Sequence, residues 1–344
     1  MATGLYYSDA CLLHDTGGHP ENRRRLEAIM ERLDGLSDLD DVHRLEPNPA
    51  DLSLLKTVHT PQYVDRVVQL AKSGGGWLDP DTAVSPGSID AALHAVGGAV
   101  DASLAVARGE LDNAFVAVRP CGHHATPSRG MGFCLFNNVA IAARCLLTEG
   151  LARRIAVVDF DVHHGNGTQD IFYQDSSVLT YSVHQSPLYP GTGHFNEIGR
   201  GAGEGYAVNV PLPPGTGDQG YDYITDKLLE PLLTRFEPDL LLVSAGYDPH
   251  WRDPLANMGL TVPGFRRIME RIVAMAKGLC GGKVVAVLEG GYDLKALSRA
   301  VETSLRALGG SPVSVDDPYG QPNDMIESDR VEAVVSAVRR VHNL

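Results

Sequence analysis

Residues 155–173 read IAVVDFDVHHGNGTQDIFY. Ile155 to Val158 is an unbroken apolar run dominated by β-branched residues, which suits a parallel strand covered on both faces by helices. Asp159, Asp161 and His163 are each two apart. In extended backbone they project to one side while Phe160 projects to the other. Gly165 and Gly167 then let the chain turn tightly before a short helix at 168–173. An apolar strand that stops in two acids and two histidines reads as one that stops at a site. The competing reading, a solvated turn with an Asp cap, requires neither the second acid nor the paired histidines.

The same pattern recurs along the chain. AFVAV at 114–118 ends in RPCGHHATPSRGMGF before a helix at 138–147, and the strand at 178–183 ends in His184 and QSPLYPGTGHFNEIG. The strand at 240–244 ends in AGYDPHWRDP, and that at 284–288 in EGGYD, with helices expected at 220–236 and 264–277. Strand, loop and helix in alternation predict an α/β fold with an open, mostly parallel sheet and helices on both faces. In such sheets ligands bind beyond the carboxyl ends of the strands. Every reactive cluster sits at such an end, which argues for one active site.

Upstream, a strand is expected at 3–8, followed by an amphipathic helix at 21–33 with Leu26, Ile29, Met30 and Leu33 on one face. Of Arg23, Arg24 and Arg25, two read as its solvated face and one as turned inward toward the acidic site. A strand at 42–45, helices at 51–56 and 61–72, and a helix at 89–108 follow. The segment 73–88, SGGGWLDPDTAVSPGS, reads as a long surface loop, either the rim of a binding site or an idle excursion. The tail at about 311–344 reads as a packing appendage with a helix at 329–341.

The 344 residues allow one large domain spanning 1–344, with its motif-bearing core at about 19–308. Hydrophobic content of 43% and charged content of 21% are those of an ordinary globular protein. No apolar run as long as a membrane span is expected, and MATGLYYSDA lacks the basic and apolar parts of a secretory signal. A cytoplasmic protein without a membrane partner is therefore expected. Five cysteines, without any C-x-x-C pair, argue for reduced thiols. Cys121 and Cys134 flank the histidine-rich loop, so each is weighed as a nucleophile and as a small buried filler. The net charge of −14, from 29 basic and 43 acidic residues, disfavours nucleic acid and favours cationic peptides or polyamines. The pattern does not fix an oligomeric state.

The chemistry follows from what the strand ends supply. Asp161, His163 and Asp248 can bind one metal ion through two carboxylates and an imidazole. Three protein ligands with a position left open is the arrangement of catalytic zinc; Asp and His suit iron as well. Two carboxylates neutralise the dication and leave its bound water less acidic than neutral ligands would, so a neighbouring general base helps. His123 and His124 are candidates, with Asp159 and Asn166 available to orient the rings. Tyr292, beside Gly290 and Gly291, which allow close backbone approach, can donate to a developing oxyanion. Metal, base pair and oxyanion donor together describe amide or ester hydrolysis.

RPCGHHATPSRGMGFCLFNN, VVDFDVHHGNGTQDIF, SVHQSPLYPGTG, SAGYDPHWRDPL and LEGGYDL occur in this order. Together they resemble the zinc-dependent histone deacetylase family, which includes acetylpolyamine amidohydrolases and acetoin-utilisation proteins. The resemblance implies a three-layer α/β fold shared with arginases. It implies one Zn2+ per chain at Asp161, His163 and Asp248, His124 as general base, His123 as its electrostatic partner held by Asp159, and Tyr292 as the carbonyl-polarising donor. Gly132 matches the residue whose carbonyl receives the substrate amide, Phe133 one wall of an acyl-lysine tunnel, and Tyr189 the other, where the family commonly has Phe. Gly291 adjoins the tyrosine, and Asn166, LDPDTAVSPGS and LEGGYDL look class II-like. K+ is implied at Asp159, Asp161, His163, Ser182 and Val183, with a second ion at Phe172, Asp175 and Val178.

The expected activity is removal of acetyl or a related acyl group from the ε-amine of lysine. An acetylpolyamine amidohydrolase is the nearest alternative, although Leu255 stands where a polyamine-selective relative carries an acid. A dinuclear manganese hydrolase and a non-catalytic acyl-ligand module are the remaining readings.

Overall fold

The computed structural model describes residues 2–39, 41–322 and 328–344. Its strands are β1 (Thr3–Tyr6), β2 (Val42–Leu45), β3 (Gly76–Asp79), β4 (Thr82–Val84), β5 (Asn113–Val116), β6 (Ile155–Asp159), β7 (Val178–Gln185), β8 (Ala207–Leu212), β9 (Leu240–Ala245) and β10 (Val284–Leu288). The helices are α1 (Arg24–Asp34), α2 (Leu52–Leu55), α3 (Pro61–Lys72), α4 (Ser88–Arg108), α5 (Asn138–Thr148), α6 (Asn166–Phe172), α7 (Asp218–Ile224), α8 (Glu230–Phe236), α9 (Val262–Cys280), α10 (Leu294–Gly309) and α11 (Ser328–His342).

Eight strands form one sheet in the order β2-β1-β5-β10-β9-β6-β7-β8, and every pairing in it is parallel. Every residue of β6, β9 and β10 is buried, as expected for strands with helices on both faces. The five strands whose ends carry the reactive clusters, β5, β10, β9, β6 and β7, are consecutive neighbours in the sheet. Their carboxyl ends therefore converge on one stretch of its edge.

The structure departs from the sequence reading in four places. Residues 73–88 are not a plain loop, because β3 and β4 pair as an antiparallel hairpin within them. β8 was not foreseen: Pro211 and Asn209 break its apolar run, and a proline is tolerated because this is the sheet's edge strand. The helix expected at 220–236 is interrupted by a π-turn at Thr225–Leu229, just before Pro231. Proline has no N–H to close on the carbonyl four residues back, and that carbonyl, Lys227 O, accepts from Arg339 Nη1 of α11 at 2.8 Å instead. Finally, α4 is long and apolar enough to cross a membrane by length and composition, contrary to expectation. Two thirds of that stretch is buried inside the protein, where α4 packs on β5, β10 and α5. Of the expected appendage, residues 323–327 lie outside the described residues.

Candidate active site

β6 delivers Asp159 as its last residue, and the chain then bends so that Asp161, His163 and, from the end of β9, Asp248 face one another. All three are buried, and one ligand atom from each lies within 4.8 Å of the others. Main-chain amides fix the carboxylates: Gly290 N–H donates to Asp161 Oδ2 at 2.8 Å, His163 N–H to Asp161 Oδ1 at 2.9 Å and Val162 N–H to Asp248 Oδ1 at 2.9 Å. Gly246 and Gly290 are required here, because a Cβ on either would collide with these carboxylates.

This donor set fits a divalent cation. No Lys or Arg pairs with Asp161 or Asp248 among the described residues, so two buried carboxylates face only imidazoles. Asp248 Oδ2 is buried without a hydrogen bond, 3.2 Å from His163 Nδ1. Burial opposes charge on His163, but Asp161 and Asp248 hold its pKa up at about 10. The site thus favours a positive charge at Nδ1, which a metal ion supplies as well as a proton does.

The loop after β5 brings in the tandem histidines, whose rings lie 4.0 Å apart. His123 Nδ1 meets Asp159 Oδ2 at 2.9 Å, and His124 Nδ1 meets Asn166 Oδ1 at 2.7 Å. Both partner oxygens are acceptors, so each ring carries its proton on Nδ1 and turns Nε2 toward the site. Burial works against charge on both rings. For His123 the carboxylates of Asp161 and Asp159 overcome it and raise the pKa well above 6.5. For His124 burial is reinforced by His123 and His163, and the pKa falls well below 6.5. The surroundings thus favour the cation at His123 and the free base at His124.

Tyr292 follows β10, and burial keeps its hydroxyl protonated, its pKa well above 10. Asp253 Oδ2 accepts from Tyr292 N–H at 2.6 Å and from Asp293 N–H at 3.3 Å, fixing this loop. Arg25 does turn inward, as one of the three arginines was expected to. It is fully buried, 5.0 Å from the Tyr292 ring centre, and donates to Gly291 O at 2.7 Å and Glu289 O at 2.5 Å. Glu21 in turn holds Arg25 and Arg119.

Gly132 and Phe133 both adopt left-handed backbone, with φ of 55° and 71°. Gly132 is compelled, since a Cβ there would strike the His124 ring. Phe133, whose N–H donates to Thr82 Oγ1 of β4 at 3.1 Å, stands edge-on to Tyr292 at 5.9 Å. Tyr189 stands edge-on to His124 at 5.2 Å and remains 37% exposed, so it lies at the mouth. Gly291 is also left-handed, at φ 112°. Leu255 is half-buried on the loop after β9, its N–H held by Asp253 Oδ1 at 3.0 Å.

Ser182 and Val183 lie side by side in β7, beneath the turn after β6, with Gly165 N–H 3.4 Å from Ser182 Oγ. Phe172, Asp175 and Val178 cluster where α6 passes into β7, and Arg144 pairs with the Asp175 carboxylate at 3.0 Å. His164 is satisfied at both ring nitrogens, by Thr192 Oγ1 and Gln169 Oε1. Cys121 and Cys134 are buried, 3.3 Å apart, without the exposure a nucleophile needs. Glu289 and Asp253 are organising residues that the sequence reading passed over. Each is a single acid in a loop, and only the neighbouring Gly-Gly-Tyr and Asp-Pro hinted at them.

Residues 19–308 match the model of the histone deacetylase domain. The chain belongs to the histone deacetylase family. It is 43% identical to a probable deacetylase of Archaeoglobus fulgidus, over 100% of this chain and 98% of that one. It is 35% identical to a histone deacetylase-like amidohydrolase of Pseudomonas aeruginosa, over 98% and 93% of the two chains. The crystal structure of the HDA15 HD domain superposes with a TM-score of 0.89 at 34% identity, covering 98% of this chain and 95% of that one. Family and relatives mark a hydrolase of the deacetylase and amidohydrolase type, and the parallel sheet with helices around it is the deacetylase fold.

Proposed function

We propose that this histone deacetylase family member is a single catalytic domain that removes acetyl or a related acyl group from the ε-amine of lysine, with one Zn2+ held by Asp161, His163 and Asp248. The supporting observation is the asymmetry of the tandem histidines beside that buried triad. The carboxylates of Asp161 and Asp159 favour a charged His123, while burial, His123 and His163 favour a neutral His124 with its Nε2 free. When bound, zinc supplies Lewis acidity toward the substrate carbonyl and an attacking water.

The chain's own groups supply the rest. His124 Nε2 accepts the proton of the attacking water and returns it to the leaving amine, a contribution of ~10² to 10⁴ in rate. His123 stays cationic and offsets the negative charge that develops beside it. Tyr292, fixed through Asp253 and Arg25, donates its hydroxyl hydrogen to the carbonyl oxygen. Phe133 and Tyr189 flank the lysine methylenes, and the Gly132 carbonyl accepts from the substrate amide. K+ at Asp159, Asp161, His163, Ser182 and Val183 belongs to the same reading, as does a class II-like character through Asn166.

The acidic net charge favours a second reading, an acetylpolyamine amidohydrolase. Leu255 opposes it, since an apolar side chain offers no partner to a cationic chain. Both readings are tested by hydrolysis of an acyl-lysine peptide panel and of acetylspermidine, with metal content measured on the same preparation. Faster turnover of acetylspermidine than of every acyl-lysine peptide would reverse the order. No turnover of either substrate by zinc-loaded protein would exclude both.

A further inference from the structure

Beside the catalytic cluster lies a second group of ligating atoms that the proposed reaction does not use. Cys121 and Cys134 approach to 3.3 Å between sulfurs, and one ligand atom from each of Cys121, Cys134 and Glu289 falls within 4.8 Å of the others. The thiols are 3% and 0% exposed and Glu289 is 0% exposed. Glu289 Oε2 accepts from Gly122 N–H at 2.7 Å and His123 N–H at 3.2 Å. Its other oxygen, Oε1, is buried with no hydrogen-bond partner among the described residues. A bare carboxylate oxygen in a protein interior is costly to leave unmatched.

We propose that Cys121, Cys134 and Glu289 bind a thiophilic divalent cation of the zinc and cadmium type, at a second site separate from Asp161, His163 and Asp248. Two sulfurs and one oxygen are the donors such ions select, whereas the first site offers only oxygen and nitrogen. Sulfurs at about 2.3 Å from a tetrahedral ion stand about 3.8 Å apart, so the thiol contact need open by only about half an ångström. Binding displaces both thiol protons, as it does in other thiolate sites. Two thiolates and a carboxylate exceed the ion's charge by one, and Arg25, whose charge reaches Cys121, offsets the remainder. A disulfide between the same sulfurs would leave Glu289 Oε1 bare, while an ion satisfies all three groups.

The second site shares a wall with the first. Gly290, next to Glu289, holds Asp161, and the amides on Glu289 Oε2 belong to the loop that carries His123 and His124. An ion here ties that loop to the Gly132–Cys134 segment.

The test is a Cd2+ titration of the full chain, stripped of metal by a chelator and kept reduced by a phosphine, followed by ultraviolet absorbance and metal analysis. Two ions per chain are expected, one of them with a thiolate-to-cadmium charge-transfer band. Asp248→Asn should lose one ion and keep the band. Cys134→Ser should lose the band, Glu289→Gln should weaken the ion that produces it at least tenfold, and Cys145→Ser with Cys280→Ser should change neither. A single ion per chain without the band in the unsubstituted protein overturns the proposal, a result independent of whether any variant folds. So does a band that disappears in the Cys145→Ser, Cys280→Ser protein. Because the readout is binding, it stands apart from the proposed hydrolysis: a catalytically silent chain can still show the band.

Discussion

His123 and His124 are neighbours in sequence, both buried and both donating from Nδ1, yet their surroundings push their pKa values in opposite directions. The difference lies in what faces each ring: the carboxylates of Asp161 and Asp159 at one, and at the other an amide, Asn166, with the imidazoles of His123 and His163. Burial in both places penalises a charged imidazole. Only where the partner is itself charged, with Asp161 near, is the penalty overcome. The carboxylates facing His123 and the imidazoles facing His124 thus decide which histidine can accept a proton.

The largest expected effect comes from removing the proton acceptor. His124→Ala should lower kcat/KM by ~10³ or more with metal content unchanged. His123→Ala should cost less, since it removes a charge rather than the base. Equal losses in the two variants would erase the distinction. Tyr292→Phe should reduce kcat by ~10² to 10³ while leaving the metal bound. Unchanged turnover would remove the tyrosine from the chemistry.

Asn166→Asp sharpens the comparison by making the two pairs alike. A carboxylate behind His124 raises its pKa, so the base stays protonated to a higher pH. The acid limb of kcat/KM against pH should move upward by about one unit or more, with activity recovering above it. An unshifted limb would mean that the amide does not set the state of His124.

How much of this was legible in the sequence depends on whether a residue sits in a repeating pattern. Asp161, His163 and Asp248 were readable because they end apolar strands, and the strand order then brings those ends together. Asn166 and Asp159 were readable as partners but not as determinants of opposite charge, which needs the distances and the burial. Arg25 was half legible, as one of three candidates. Glu289 and Asp253 were not, because a single acid in a loop has no periodicity and its amide partners come from distant segments. The β3–β4 hairpin was hidden by the glycines and prolines around it. β8 was hidden by Pro211, which only an edge position tolerates.

The smallest effect concerns a histidine held neutral for a different end. His59 is buried like His124, and burial lowers its pKa to about 4. Its two nitrogens, however, are both used by the protein: Nδ1 lies 2.9 Å from Thr126 O, and Nε2 accepts from Asn137 N–H at 2.9 Å. Protonating Nε2 would set a donor against the amide that opens α5. Buried His14, also at about 4, works in the same direction. In the unfolded chain both rings titrate near the ordinary 6.5, so the unfolded state takes up protons first as pH falls. The stability these neutral rings contribute is complete above pH 6.5 and is lost as pH falls toward about 4. The melting temperature should therefore drop by about a few degrees across that interval. His59→Gln preserves one donor and one acceptor without a titrating group, and should remove part of the slope, the rest belonging to His14, His124, His164, His184 and His342, which burial also holds low. A slope that survives in full would place the acid sensitivity elsewhere. A flattened slope with unchanged turnover at neutral pH would show that the same neutral imidazole serves stability at His59 and, with its Nε2 left free, proton transfer at His124.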